Sequence, residues 1–191
     1  MPVRHKNKGE LTRARLRAAA ITVFARNGFH GTKVSDIVAE AGLSQPSFYL
    51  YFDSKETTFD GLVEDFRARL HGVTVSNLID PTTPQDALEE RVALSFVKFL
   101  DFMAEDRALT EIGFFQPPSC SVTKNLMVDW VADNIRQEQG QGIFRNDIAA
   151  TDIARMLVGM LDQFGRLQAS GDKRKAIAAT YAKLFLRGAG I

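Results

Sequence analysis

Cysteine is nearly absent from this chain of 191 residues, in which Cys120 stands alone. A single cysteine excludes an intramolecular disulfide framework and a zinc cluster built on several thiolates. The three histidines, His5, His30 and His71, show no spacing typical of metal ligands, so we expect no metal site. This composition favours a reducing, cytoplasmic location.

Long apolar runs are also missing, since no stretch approaches the about 18 apolar residues of a membrane-spanning helix. The first residues, MPVRHKNKGELTR, carry positive charge but lack the apolar segment of a signal peptide. Nor is there a nucleophile–base set, a phosphate-binding loop or a pair of acids at useful spacing. We therefore expect no membrane partner, no cofactor and no enzymatic activity.

A strong net charge is missing too, because the chain carries only +1. The charge is unevenly distributed, however. Residues 1–55 contain nine Lys and Arg against four Asp and Glu, whereas the remainder contains 15 against 19. A basic head on an acidic body is typical of a protein whose head meets phosphates, although an ordinary fluctuation of composition gives the same numbers.

What the chain does contain is helical periodicity, with no strand-like alternation. The apolar spacing predicts a first helix at residues 11–27, ended by Gly28 in a left-handed conformation. A second helix is predicted at 33–40, and Gly42 then permits a tight turn. Ser44 is positioned to cap a third helix that has Pro46 in its first turn. This is the helix-turn-helix layout, in which the second of two short helices enters the DNA major groove.

The rest of the chain is predicted to be helical as well. Asp53 and Glu56 form a candidate capping box that opens a fourth helix, at 55–79. After the break at 80–84, Asp-Pro-Thr-Thr-Pro, five more helices are predicted. They are placed at about 85–103, 109–115, 122–139, 150–169 and 172–187.

Residues 15–63 resemble the DNA-binding domain of TetR-type transcriptional regulators. The stretches that carry the resemblance are AAITVFARNGFHGTKVSDIVAEAGLS and FYLYFDSKETTFDGLV. It implies an all-α fold of about nine helices. An N-terminal three-helix helix-turn-helix domain occupies 1–55, and the fourth helix, 55–79, connects it onward. Residues 56–191 form a C-terminal ligand-binding and dimerisation domain.

The resemblance also implies a set of DNA-contacting positions, in which Gln45 reads a purine edge and Pro46 contacts a thymine methyl. Tyr49, Ser47 and Lys55 contact phosphates, which fix the position of the domain on the duplex. Thr32, Lys33 and Ser35, at the start of the second helix, contact the DNA backbone as well. The whole set is Thr32, Lys33, Ser35, Ser44, Gln45, Pro46, Ser47, Tyr49, Tyr51 and Lys55.

The C-terminal helices are rich in Phe and Met, which suit a loosely shaped apolar ligand. Any one of these residues taken alone is better explained by ordinary core packing, so only the set indicates a pocket. Asp101, Asp129, Asp162 and Gln163 are candidate polar anchors, which solvated helix faces explain equally well. The candidate ligand-binding residues are Phe96, Phe99, Leu100, Met103, Phe115, Met127, Trp130, Met160 and Phe164.

The resulting hypothesis is a homodimer formed through the last two helices, because one helix-turn-helix reads too few base pairs. The dimer binds a palindromic double-stranded DNA operator as a repressor, and a small apolar or amphipathic effector releases it. The alternative is a ligand-independent DNA-binding or DNA-organising protein whose C-terminal domain only dimerises. An enzyme is a third class, with little support in the sequence.

Overall fold

The computed structural model describes residues 3–189, with side chains for residues 8–188. This part of the chain is all-α and contains no strand, which confirms the predicted fold class. A 3₁₀ turn, Gln85–Ala87, precedes the fifth helix, and a π-helical turn, Glu111–Phe115, follows the sixth. The helices are α1 Val3–Gly31, α2 Val34–Ala41, α3 Gln45–Tyr49, α4 Lys55–Val75, α5 Leu88–Glu105, α6 Arg107–Thr110, α7 Cys120–Gly140, α8 Ala150–Gly165 and α9 Gly171–Ala189.

The chain packs as two compact units. The first unit extends to Arg67 and also includes Ala108–Ser121, a segment from the middle of the chain. The second unit comprises Ala68–Arg107 and the chain from Val122 onward. The predicted C-terminal domain, 56–191, includes residues 108–121. In the structure these residues pack with the first unit.

The first unit is built around a small apolar core. Helix α1 contributes Leu16 and Phe24, α2 contributes Ile37, and α3 contributes Phe48, all of them fully buried. Burial of such side chains contributes about 1.5–3 kcal/mol each, which is what holds helices as short as α2 and α3 in place. The core thereby fixes the orientation of α3 against α1 and α2.

The π-helical turn closes this unit against α4. A Cβ added at Gly113 would lie 2.5 Å from Cδ1 of Phe66, so the ring of Phe66 rests directly on the glycine backbone. Gln116 then donates a hydrogen bond from Nε2 to the carbonyl of Ala25 in α1, at 2.9 Å. Residues 108–121 are therefore part of the structural support of the first unit.

Two predicted helix ends are wrong in detail. Gly28 does have a positive φ, 70°, but its ψ of 168° is extended, so it kinks α1, which resumes and ends at Gly31. The fourth helix is capped by Ser54 and Thr57 instead of Asp53 and Glu56. The backbone N–H of each of these two residues donates to the side-chain oxygen of the other, at 3.1 and 3.0 Å.

The second unit buries the apolar faces of its helices. Phe96, Leu100 and Met103 lie on the buried face of α5, which packs on α8 and α9. Met127 of α7 and Tyr181 of α9 are buried as well. Within the described residues, no helix combines the length and the apolar character needed to cross a membrane.

Candidate functional site

The turn between α2 and α3 has the geometry that the sequence predicted. Gly42 is left-handed, with φ 60° and ψ 41°, and a Cβ added there would lie 2.8 Å from Nη2 of Arg15. The N–H groups of Gly42 and Leu43 bond back to the carbonyls of Ala39 and Val38, at 3.0 and 2.8 Å. These bonds satisfy the last carbonyls of α2 and fix the angle at which α3 leaves it.

Helix α3 presents an uncharged polar face to solvent. Gln45, Pro46 and Tyr49 are exposed, whereas Phe48 between them is fully buried. Ser47 is half-buried, and its hydroxyl lies 3.0 Å from that of Ser44. Ser44 occupies the N-cap position as predicted, but its side chain makes no capping bond to the helix backbone. Because Gln45 is exposed, its amide is available to a partner outside the protein.

Tyr51 and Leu50 follow α3 directly. Tyr51 is half-buried, and a Cβ added at Gly9 of α1 would lie 3.8 Å from its hydroxyl oxygen. Leu50 is 79% exposed and is not among the predicted DNA-contacting residues. A leucine this exposed beside Gln45 and Tyr49 enlarges the apolar part of the same face.

The start of α2 combines one buried and two exposed candidates. Thr32 is buried, and its hydroxyl donates to the carbonyl of Gly28 at 2.7 Å. Lys33 and Ser35 are exposed. The backbone N–H of Lys33 already donates to the carboxylate of Asp36, at 2.9 Å, so this helix end carries its own counter-charge.

Lys55 does not point freely into solvent. Its ammonium group donates to the carbonyls of Phe29 and Thr32, both at 3.1 Å, and lies 4.4 Å from the centre of the Phe29 ring. Its side chain is 19% exposed. The lysine therefore ties the start of α4 to the end of α1, and at most one of its three N–H donors is left for a phosphate.

A cavity of about 70 Å³ lies inside the second unit. Its walls are mainly apolar and aromatic, and the Phe96 and Tyr181 rings are stacked with centroids 3.6 Å apart. Buried polar side chains also reach it. The lining residues are Thr74, Asn77, Ile79, Val92, Ser95, Phe96, Phe99, Val131, Asn134, Ile135, Glu138, Phe144, Leu157, Leu161, Tyr181 and Phe185.

Glu138 is the acidic side chain of this lining, and it is only 2% exposed. Burial raises the pKa of Glu138 to about 7, because desolvation penalises the charged carboxylate. The N–H of Ile79, which donates to its Oε1 at 2.9 Å, and the charge of Arg91 oppose that shift. Burial also raises the pKa of the Tyr181 phenol above its usual range.

Comparison with known proteins decides the family. Residues 16–61 match the family model described as bacterial regulatory proteins, tetR family. Over 157 residues, 82% of this chain and 80% of the relative, the chain is 40% identical to the uncharacterized HTH-type transcriptional regulator YdgC of Bacillus subtilis (strain 168). The chain belongs to the TetR family.

Solved structures agree on the fold. A bacterial regulatory protein in the tetR family from Rhodococcus RHA1 superposes with a TM-score of 0.73 at 21% identity, covering 94% of this chain and 97% of the other. The fatty acid degradation regulator FadR from Bacillus halodurans gives 0.72 at 20% identity, covering 93% and 95%. The predicted TetR-type architecture is therefore confirmed, and with it a DNA-binding transcriptional regulator.

The cavity of this TetR-family protein contains two of the nine predicted ligand-binding residues, Phe96 and Phe99. Leu100, Met103 and Met127 are buried in the same unit but do not line it. Trp130 is half-buried, and its ring packs on His71 with centroids 4.8 Å apart.

Three further predicted residues lie elsewhere. Phe115 belongs to the π-helical turn of the first unit, where it packs edge-on against Phe114. Met160 and Phe164 line apolar grooves along α8 and α9 instead. Helical spacing does not show which apolar residues meet a cavity. The predicted ligand-binding set therefore mixes core residues with surface residues.

The candidate polar anchors also lie outside the cavity lining. Asp101 accepts from Arg174 at 2.6 Å, and Asp162 pairs with Lys124 and Arg166 at 2.9 and 3.1 Å. Instead, Glu138 is the acid that reaches the cavity. A signal for it was present in the sequence, because Glu138 follows Val131 and Ile135 at the four- and three-residue spacing of one helix face. Among the residues described, no group of three His, Cys, Asp or Glu is placed to hold a metal ion.

Proposed function

We propose that this TetR-family protein is a homodimeric repressor that binds a palindromic operator and is released by a small apolar or amphipathic effector. The observation that carries the DNA-binding part is the face of α3, where Gln45, Pro46 and Tyr49 are exposed while Phe48 anchors the helix from beneath. Residues exposed in this manner contribute nothing to the core. They are available for base edges and phosphates in the major groove.

The contacts divide into readers and positioners. The Gln45 amide offers both a donor and an acceptor, which suits adenine N6 and N7, and Pro46 with the exposed Leu50 offers apolar contact to thymine methyls. Tyr49, Lys33 and Ser35 are suited to phosphate oxygens. Lys55 would add one hydrogen bond at most. Because α3 carries no cationic side chain, specificity rests on Gln45 and on apolar contacts.

Dimerisation through α8 and α9 is supported by apolar surface that a single chain leaves uncovered. Met156 of α8 is 66% exposed and Leu184 of α9 is 64% exposed. Gly159, on the exposed side of α8, has open space around its Cβ position, so a neighbouring helix can approach closely. A dimer would place two copies of α3 on two half-sites.

The effector part rests on the cavity of the second unit, which is apolar with a few converging polar groups, as ligand sites usually are. Thr74, near the end of α4, belongs to its lining, and Lys55 begins the same helix. A ligand that changes the position of α4 would therefore act on the helix that Lys55 ties to the end of α1. A 100-fold release of operator requires about 2.7 kcal/mol of coupling between the two sites.

The small size of the cavity favours a second candidate. A volume of about 70 Å³ is well below the roughly 300–1,000 Å³ of typical ligand pockets, so an effector would have to expand it. The protein would then be a ligand-independent regulator whose second unit only dimerises. A screen of apolar compounds that never raises the melting temperature would favour this candidate over the effector-controlled one.

The test of operator recognition uses fluorescence anisotropy against DNA fragments from the region upstream of the protein's own coding sequence. We expect binding to an inverted repeat, and Gln45→Ala should cost about 1–3 kcal/mol of it while leaving binding to random DNA unchanged. Gln141→Ala, which changes an exposed glutamine of the second unit, is the matched control. Absence of any sequence preference in the unmodified protein would overturn the proposal.

A further inference from the structure

The cavity of the second unit has an unequal inventory of hydrogen-bonding groups. Four of its polar side chains already donate hydrogen bonds inside the protein. The hydroxyls of Thr74 and Ser95 donate to the carbonyls of Leu70 and Arg91, at 2.9 and 3.2 Å. The amide nitrogens of Asn77 and Asn134 donate to the carbonyls of Ser95 and Thr74, at 3.3 and 2.8 Å.

The nearest cationic side chain is committed as well. Arg91 donates to the carbonyls of Asn77 and Leu78, both at 3.1 Å, and to the hydroxyl of Ser95. These bonds hold its guanidinium against the backbone that follows α4. Among the cavity's own side chains, the hydroxyl of Tyr181 has no partner in the protein, and each of the two Asn amides keeps a second N–H.

The acceptors are the groups that remain available. Oδ1 of Asn77 is buried without a hydrogen bond in the protein, and Asn77 is 7% exposed. Its orientation is determined by its Nδ2, because rotating the amide would set two acceptors, Oδ1 and the Ser95 carbonyl, against each other. Glu138 uses Oε1 on the N–H of Ile79, and in its ionised form the second carboxylate oxygen is a further acceptor. Buried polar atoms left in this manner are costly, typically about 1–3 kcal/mol each.

The remaining walls are aromatic and suit both the apolar part of a ligand and a cation that lies against a ring face. Phe96, Phe144, Tyr181 and Phe185 form a connected aromatic group, with Phe144 and Phe185 at 5.3 Å and Tyr181 and Phe185 at 5.7 Å between centroids. Aromatic faces attract ammonium groups by about 0.5–2 kcal/mol, and they attract carboxylates much less.

From this inventory we infer that the cavity takes an amphipathic ligand whose head group donates hydrogen bonds, a protonated amine or a hydroxyl, to Asn77 and Glu138. An anionic head group is rejected, because it would set an acceptor against Oδ1 of Asn77 and place a negative charge beside Glu138. The inference rests on the proposed effector control and names the chemistry of the effector. Charge selection at a desolvated carboxylate is strong because water cannot screen it.

The experiment compares three ligands that share one tail and differ in the head group. These are 3-phenylpropylamine, 3-phenylpropanol and 3-phenylpropionate, titrated into the full chain at pH 7.5 by calorimetry and by thermal shift. We expect the amine and the alcohol to bind at least about tenfold more tightly than the carboxylate, which corresponds to about 1.4 kcal/mol. Equal or tighter binding of the carboxylate overturns the inference, and so does the failure of all three to bind.

Two variants locate the binding in the cavity. Glu138→Gln keeps the shape but replaces one acceptor with a donor, so amine affinity should fall at least about tenfold while carboxylate affinity rises. Glu89→Gln makes the same chemical change at an exposed position of α5 outside the cavity lining and should leave the ranking of the three ligands unchanged. If Glu138→Gln does not alter the ranking, the inference is wrong. Circular dichroism verifies that each variant is folded. The comparison of the three ligands on the unmodified chain does not depend on the variants.

Operator binding separates this inference from the function on which it rests. Should the carboxylate release the operator best, effector control stands and the head-group chemistry falls. Should no sequence-specific operator exist, the proposed function falls, whichever ligand binds.

Discussion

At the scale of single residues, two lysines that the sequence treated alike differ in the structure. Lys33 is exposed, whereas Lys55 bonds to the carbonyls of Phe29 and Thr32. We expect Lys33→Met to weaken DNA binding and to reduce the slope of log affinity against log salt by about 1, with no loss of stability. Lys55→Met should cost about 1–3 kcal/mol of unfolding free energy, because two carbonyls lose a charged donor.

Urea denaturation and salt-dependent anisotropy measure the two effects separately. Each lysine variant is the control for the other. A salt slope lowered by Lys55→Met without any loss of stability would mean that this lysine serves DNA first, as the family resemblance implies.

The ionisation of Glu138 predicts a pH-dependent stability. The pKa of Glu138 is raised from 4.5 to about 7 in the folded chain, so between these values the unfolded state is ionised while the folded state keeps its proton. Stability therefore falls as pH rises through this window and levels off above pH 7, with a magnitude of the order of 3 kcal/mol. The charge of Arg91 opposes the shift and is already reflected in the pKa of about 7.

Glu138→Gln removes the titration but keeps the acceptor for the Ile79 N–H. Urea denaturation at pH 5 and pH 8 should therefore give a smaller difference for the variant than for the unmodified protein. Identical differences would show that Glu138 is ionised throughout the range.

At the scale of elements, the turn between α2 and α3 depends on one glycine. Gly42→Ala forces a side chain into the left-handed region, which costs about 1–2 kcal/mol, and moves Arg15, whose Nη2 would lie 2.8 Å away. We expect lower stability and weaker operator binding. Gly72→Ala is the matched control, because Gly72 lies in α4 with open space around its Cβ and should gain about 0.5–1 kcal/mol.

Local signals explain which elements the sequence predicted correctly. The Gly42 turn and the inward direction of Phe48 follow from residue type and spacing alone, so they were predictable. The cap of α4 was displaced by one residue because Asp53 and Ser54 are both good caps, and only the backbone decides between them. The cavity was the least predictable feature, since its lining joins residues from Thr74 to Phe185. The position of Glu138 on the buried face of α7 was predictable from its spacing after Val131 and Ile135.

At the scale of the whole molecule, the assembly of two copies gives the remaining prediction. Gly159→Trp fills the open space on α8 and should raise the dimer dissociation constant at least about tenfold, which is about 1.4 kcal/mol. Operator affinity should also fall, because each half-site would then bind a single copy of the chain. Gly72→Trp, on α4, is the control that should leave the dimer intact. Sedimentation velocity measures both, and an unchanged dimer in Gly159→Trp would place the interface elsewhere.

The placement of Gly113 under the ring of Phe66 bears on how the molecule is dissected and how it folds. The first unit is discontinuous in sequence. About 40 residues separate its main part, which ends at Arg67, from the segment Ala108–Ser121 that packs on it. A fragment that stops at Val75 would contain the helix-turn-helix and still leave Phe66 without its cover. Closing that loop costs entropy before any packing is gained. We therefore expect the first unit to complete its packing only after the chain has extended to Ser121.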